Sequence, residues 1–268
     1  MIDFTTTIIF ILLLSTSLIS GKYLNLEDSY DNDRIVAQEV NIREKFVEEI
    51  NPQRNVLGTT QNTNNWWDYP DNIKKTKRHG DDLLVLVNKE YKLPSSYAPT
   101  DLVTVGNSVI RRGNNYQLRS IVINDLRALV NSAKSDGIDL SIVSAYRSYS
   151  TQITTYNHWV RHYGNCVSCA DKISARPGHS EHQLGTTIDF SSNEVGDRLG
   201  SVFNNTRASR WLEENAYKYG FVISYPRGYE SITGYSYESW HYRYIGRENA
   251  QEMVNSGMIR ETYLRSKN

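Results

Sequence analysis

Two short runs constrain this chain more than any other feature: PGHSEHQLGTTIDF at Pro177–Phe190 and ESWHYRYIG at Glu238–Gly246. The first carries His182 and Asp189, seven residues apart with Gly185 between them. The second carries Glu238 and His241, three apart. Two imidazoles and one carboxylate are the donors of a zinc site that keeps a position open for water. A spare glutamate beside them can move protons. A fold that uses both runs must bring two distant segments to one point.

Local geometry supports that convergence. Thr186–Phe190 alternates as a strand, with Thr187 and Asp189 on one face and Ile188 and Phe190 on the other. Gly185 permits a turn ahead of that strand which swings His182 toward the same point. In the second run, alternation sets His241 on the face opposite Trp240 and Tyr242. Glu238 stands at the strand entrance, within reach of the attacking water without being a ligand. His158 and His162 make an instructive contrast. They sit four apart on a helix, as zincin ligands do, but Trp159 occupies the place of the general-base glutamate and no third ligand follows. They read as helix surface. His179 reads as a surface loop residue, with a supporting role beside the site as the alternative.

The 268 residues suffice for one catalytic domain with an appendage. Lys plus Arg and Asp plus Glu each number 30, so overall charge argues for neither nucleic acid nor an anionic membrane. Ile8–Ile19 is apolar or small, and Ser20 and Gly21 follow as a small-residue cleavage region. That run suits a signal-peptide core and falls short of the ~20 residues of a membrane span. The expectation is a signal peptide at 1–20, a polar arm or linker at 21–80 and a catalytic domain at 81–268. The protein is then secreted or cell-wall associated, with no stable membrane insertion after cleavage; an uncleaved N-terminal membrane anchor is the alternative. The two cysteines, Cys166 and Cys169, form one CxxC pair. In an exported chain the favoured reading is a local disulfide.

Along the chain, Asn41–Ile50 can form a short amphipathic helix, Thr59–Asn65 reads as linker, and Lys74–Arg78 as a solvated basic run. Trp66 and Trp67 are expected to pack on the catalytic domain, which begins at Asp81–Asn88. Val122, Leu126, Leu129, Val130 and Ala133 recur at helical spacing, and Gly137 stops that helix. Asp139–Ala145 reads as a buried strand. Ser148 or Ser150 caps the next helix, which runs to about Tyr163 with Ile153, Tyr156, Trp159 and Val160 facing in. Cys166–His179 is expected as a long loop. Ala208–Tyr219 is helical, Phe221–Tyr225 and Ser239–Ile245 are strands, and a last helix covers Arg247–Ser256. Regular βαβ spacing and a phosphate-binding glycine loop are both missing. The class is therefore α+β, a small antiparallel sheet flanked by helices.

Four segments carry a resemblance: SAYRSYSTQ (Ser144–Gln152), ARPGHSEHQLGTTIDF (Ala175–Phe190), WLEENAYKYGFVISYP (Trp211–Pro226) and ESWHYRYIG. In this order, across Leu83–Met258, they resemble the VanY-type zinc D-alanyl-D-alanine carboxypeptidases. The resemblance implies the LAS fold, shared with lysostaphin-type and hedgehog-type domains. It implies one Zn2+ per chain on His182, Asp189 and His241, and Glu238 as catalytic base. It makes Arg147 a catalytic and substrate-binding cation, and puts Gln152 and Ser180 along the substrate's C-terminal end. The implied partner is a peptidoglycan stem peptide that loses its terminal D-alanine. L,D-carboxypeptidase, crosslink endopeptidase and a non-catalytic zinc-stabilised binding module are the alternatives. Two positions depart from the family: Ser239 stands where proline is usual, and Thr187 where alanine is common. The SxxK and KTG marks of serine enzymes acting on the same polymer are absent.

Overall fold

The computed structural model describes Asn65–Asn268; the segment expected as signal peptide and the helix expected at Asn41–Ile50 lie outside the described residues. Within this part, β1 (Lys74–Lys75) and β2 (Tyr91–Lys92) pair in parallel, and β3 (Leu102–Thr104) and β4 (Gln117–Arg119) pair antiparallel. The central sheet is built from β5 (Leu140–Ser144), β6 (Thr187–Ser192), β7 (Phe221–Ile223) and β8 (His241–Tyr244). All its pairs are antiparallel and its order is β5-β6-β8-β7. The helices in chain order are α1 (Ser120–Ser135), α2 (Tyr149–His162), α3 (Val167–Asp171), α4 (Arg207–Asn215), α5 (Glu230–Thr233), α6 (Arg247–Asn255) and α7 (Arg260–Lys267). The α+β expectation of a small antiparallel sheet flanked by helices holds.

The pattern of apolar residues explains the packing. Val122, Leu126, Leu129 and Ala133 line the buried face of α1, and they share one core with Ile142 of β5, Ile188 and Phe190 of β6, and Tyr242 and Tyr244 of β8. Ile188 and Phe190 therefore anchor one face of β6 in the main core, which leaves Thr187 and Asp189 for the other. Gly137 follows α1 at φ 71°, a left-handed conformation that glycine adopts without steric cost. Ser148 caps α2 by accepting a hydrogen bond from the Thr151 amide at 3.2 Å.

Three expectations change. Ile153 of α2 is exposed at 41%, and the inward face instead runs through Gln152 and Tyr156. Both are held by polar anchors, Gln152 on the Ala175 carbonyl and Tyr156 on the Asp171 carboxylate, and these set the rotation of the helix. The stretch expected as a loop at Cys166–His179 contains α3, and the Cys166–Cys169 disulfide is formed within it. Arg247–Asn255 is not the last helix, because α7 follows it. Its sequence, RETYLRSK, hides a buried face that includes Arg260 and Glu261, so an apolar pattern does not reveal it. The chain before Asp81 packs on the domain as well. The buried Lys89 ammonium donates to the carbonyls of Trp67 (2.7 Å) and Asp171 (2.6 Å), and it lies 4.4 Å from the ring centroids of both Tyr69 and Tyr235. Lys172 sits 3.8 Å over the Trp67 ring, so that tryptophan packs on the domain as expected.

Candidate metal centre

The sheet register brings the two runs together. Asp189 of β6 stands opposite His241 of β8 on one side and Ser144 of β5 on the other, beside an irregularity in the β5 pairing. His182 enters from a short 3-10 helix at Glu181–Leu184, capped by the Ser180 hydroxyl and closed by Gly185 at φ 67°. A Cβ at Gly185 would lie 3.0 Å from Leu102 Cδ2 and 3.1 Å from Arg119 Cγ, so both the turn and the close packing require glycine. The turn is tied to the end of β5, where the Arg147 amide donates to the His182 carbonyl at 3.1 Å.

The donor atoms converge. His182 Nε2 lies 3.3 Å from Asp189 Oδ2, and His241 Nδ1 lies 3.1 Å from Asp189 Oδ1. One ligand atom from each of the three residues fits within a span of 4.8 Å, and all three residues are buried. The opposite nitrogen of each imidazole is already engaged. His182 Nδ1–H donates to the Ala145 carbonyl at 2.6 Å, and His241 Nε2–H donates to Glu181 Oε2 at 3.3 Å. Each ring therefore turns a lone pair toward Asp189, whose buried Oδ1 has no hydrogen-bond partner. With both imidazoles neutral, three acceptors face one another, an arrangement that fits a cation. Imidazole and carboxylate donors suit zinc.

Charge in the cluster follows the same logic. Burial opposes ionisation of Asp189, yet the two imidazoles outweigh it and hold the carboxyl well below the usual range. Burial also opposes a proton on His241, but Asp189 and Glu181 prevail and carry it up to about 10. A field that favours a proton there favours a divalent cation too, which displaces the proton on binding. Glu238 is pushed up to about 8, chiefly by burial. Its Oε2 lies 3.4 Å from His241 Nδ1, at the edge of the donor set.

Arg147 is held in a fixed attitude by Gln152 Oε1 and Ser144 Oγ, which accept from its two terminal nitrogens at 2.9 Å each. Its charge is felt at His182, Asp189 and Glu238. Gln152 is buried, with its amide nitrogen donating to the Ala175 carbonyl at 2.6 Å, so it braces Arg147 directly. Ser180 is buried at the start of the His182 turn. Ser239 donates to Asn204 Oδ1 at 2.8 Å, which ties the turn carrying Glu238 to a neighbouring loop.

His158 and His162 are exposed on α2, as expected. His179 is not a surface loop residue: it is 3% exposed, and its Nδ1–H donates to the Asn88 carbonyl at 2.8 Å. Burial holds its pKa down at about 4. Sequence reasoning missed Glu181, Ser224, Arg243 and Arg260, which are buried together behind His241. The one signal available was Glu181 itself, a carboxylate directly preceding a ligand histidine.

Comparison with known proteins agrees with this geometry. Residues 115–247 match the VanY family model, described as D-alanyl-D-alanine carboxypeptidase. A putative carboxypeptidase, YodJ of Bacillus subtilis, is 38% identical over 202 residues, 73% of each chain. The solved LdcB LD-carboxypeptidase superposes with a TM-score of 0.64 at 35% identity, covering 72% of this chain and 93% of that one. A vancomycin-resistance D,D-pentapeptidase, VanY in complex with Zn(II), superposes with a TM-score of 0.58 at 30% identity, covering 69% and 99%.

Proposed function

The chain belongs to the VanY family of D-alanyl-D-alanine carboxypeptidases, and from that premise we propose that it removes the terminal D-alanine of peptidoglycan stem peptides with zinc held by His182, Asp189 and His241. It is a zinc metallopeptidase, a D,D-carboxypeptidase. The observation that carries the ligand roles is the orphaned Asp189 Oδ1, set between two imidazoles whose outer nitrogens are already committed.

Bound zinc supplies a Lewis acid that lowers the pKa of a water from ~15.7 to near 7. Glu238 takes the proton as the water attacks the scissile carbonyl, then returns it to the departing amine. Arg147, braced by Ser144 and Gln152, offers its fork to the developing oxyanion or to the substrate's terminal carboxylate. Gln152 thereby serves substrate binding through Arg147, and Ser180 lies at the start of the turn that presents His182. Attack by water makes a nucleophilic serine or cysteine unnecessary.

A second reading, L,D-carboxypeptidase, is favoured by the likeness to LdcB. The experiment that separates them incubates purified protein with stem tetrapeptide, pentapeptide and crosslinked peptides, with and without chelator. Release of D-alanine from the pentapeptide, lost with chelator, is the expected result. Cleavage of the tetrapeptide alone would select the L,D reading, and internal fragments alone would sink the carboxypeptidase claim.

We also read residues 1–20 as a signal peptide and 21–80 as an arm whose described end lies on the catalytic domain, 81–268. The protein is then secreted or cell-wall associated, with an N-terminal membrane anchor as the alternative. The apolar run Ile8–Ile19 and the Cys166–Cys169 disulfide support this reading. Among the described residues no helix is long and apolar enough to cross a membrane.

A further inference from the structure

Behind the metal ligands lies a second buried cluster that the reaction itself does not use. Glu181 is fully buried, and donors surround both its oxygens. Oε2 accepts from the Ser224 hydroxyl at 2.6 Å and from His241 Nε2–H at 3.3 Å. Oε1 accepts from Arg243 Nη1 at 3.0 Å, and Arg260 Nη1 lies 3.3 Å away. Ser224 reaches this point because the β7–β8 ladder continues past Ile223, with the Ser224 amide on the His241 carbonyl at 3.1 Å. Arg243 comes from β8 two residues after His241, on the same face. Arg260 is the first residue of α7, and its neighbour Glu261 accepts from the Asn88 side chain at 2.6 Å.

We infer that Glu181, clamped by Arg243 and Arg260, is a positioning residue that fixes which nitrogen of His241 faces the metal, and that α7 is thereby part of the metal centre. This rests on the ligand assignment above. A carboxylate whose oxygens are met by donors on every side presents only an acceptor to His241. The imidazole must then carry its proton on Nε2 and turn the Nδ1 lone pair toward Asp189 and Glu238. The two arginines hold that carboxylate in place, one from the strand of the ligand itself and one from the C-terminal helix. Arg260 lies outside the residues matched by the family model, 115–247, so the family match alone does not reach it.

The test uses the full chain stripped of metal. Zinc affinity is measured by competition with a chromophoric chelator, and ligand geometry by the visible spectrum of the cobalt(II) form. Glu181→Gln should weaken zinc binding about 10–100-fold and alter the cobalt(II) spectrum, because a neutral amide with one acceptor oxygen cannot accept from both His241 and Arg243 and no longer offsets the charge of Arg260. Arg260→Met should weaken binding at the lower end of that range, with Arg243 still pairing Glu181. Circular dichroism of each apo variant checks the fold; should Glu181→Gln fail to fold, Arg260→Met decides. On wild-type protein loaded with zinc, 15N-histidine NMR should show His241 protonated at Nε2. Zinc affinity and a cobalt spectrum indistinguishable from wild type in a folded variant would overturn the inference, as would a His241 protonated at Nδ1. Asp189→Asn serves as control. If it keeps zinc, the ligand assignment falls; if it loses zinc while Glu181→Gln binds normally, only the role of Glu181 falls.

Discussion

Asp189 and His241 face each other in register across β6 and β8, with Oδ1 and Nδ1 3.1 Å apart. The ladder that pairs the two strands also sets these side chains beside each other. The metal centre and the sheet are one construction, so metal binding should stabilise the fold.

That coupling is measurable by thermal unfolding. Zinc at 100 times its Kd should stabilise the apo protein by about 2.7 kcal/mol, and Asp189→Ala should abolish the zinc-dependent rise in Tm. Equal rises in both proteins would place the metal elsewhere.

Glu238→Gln removes the proton carrier but none of the three ligands. We expect kcat to fall about 10²–10⁴-fold while zinc affinity stays near wild type. Unchanged hydrolysis of every wall peptide would remove Glu238 from the mechanism and revive the non-catalytic binding module.

Arg147→Lys keeps a charge but loses the fork that Gln152 and Ser144 hold. A loss of about 10²-fold in kcat/KM is expected. Gln152→Ala should cause a smaller loss, since Ser144 still braces the arginine. Steady-state kinetics on the pentapeptide separate the two, and a larger loss in Gln152→Ala would point to direct substrate contact.

His179 gives a pH dependence outside the ligand set. Burial lowers its pKa from 6.5 to about 4, and Lys92, Arg176 and Lys89 act in the same direction. The unfolded chain therefore binds the proton first as pH falls. The stabilisation is full above 6.5, declines as pH falls toward 4, and amounts to about 3 kcal/mol at most. Urea unfolding at pH 7 and pH 5 should show this loss, and His179→Asn should reduce it. An equal loss in both would assign it to other groups.

Gly185→Ala places a side chain on a left-handed residue, which costs roughly 1–2 kcal/mol before the contacts with Leu102 and Arg119 are counted. Because the same turn aims His182, zinc affinity should fall with stability. A stability loss with normal zinc binding would show that the turn does not position the ligand.

The residues nearest the chemistry were the most legible. His182, Asp189, Glu238 and His241 occur in runs whose strand alternation and glycine turn announce where each side chain goes. The helix at Ser120–Ser135 was equally plain, because Val122, Leu126, Leu129 and Ala133 keep helical spacing and face one core. Ile153 misled, because apolar character forecast an inward face that polar anchors on Gln152 and Tyr156 set instead. His179 misled in the opposite sense: a histidine in a polar run looks exposed until Asn88 and Tyr69 close over it.

What the sequence determined by itself is the donor set, its local presentation and the α+β class, since these depend on residue type and on periods of a few residues. Only the tertiary structure decided which nitrogen of each histidine is free. That choice belongs to Ala145 for His182 and to Glu181 for His241. It likewise decided that the arginine of a polar C-terminal helix, Arg260, sits fully buried beneath the site. Such contacts link residues far apart in the chain, where no local spacing records them. A buried charge is tolerated only when its partners arrive together, and the fold alone brings them there.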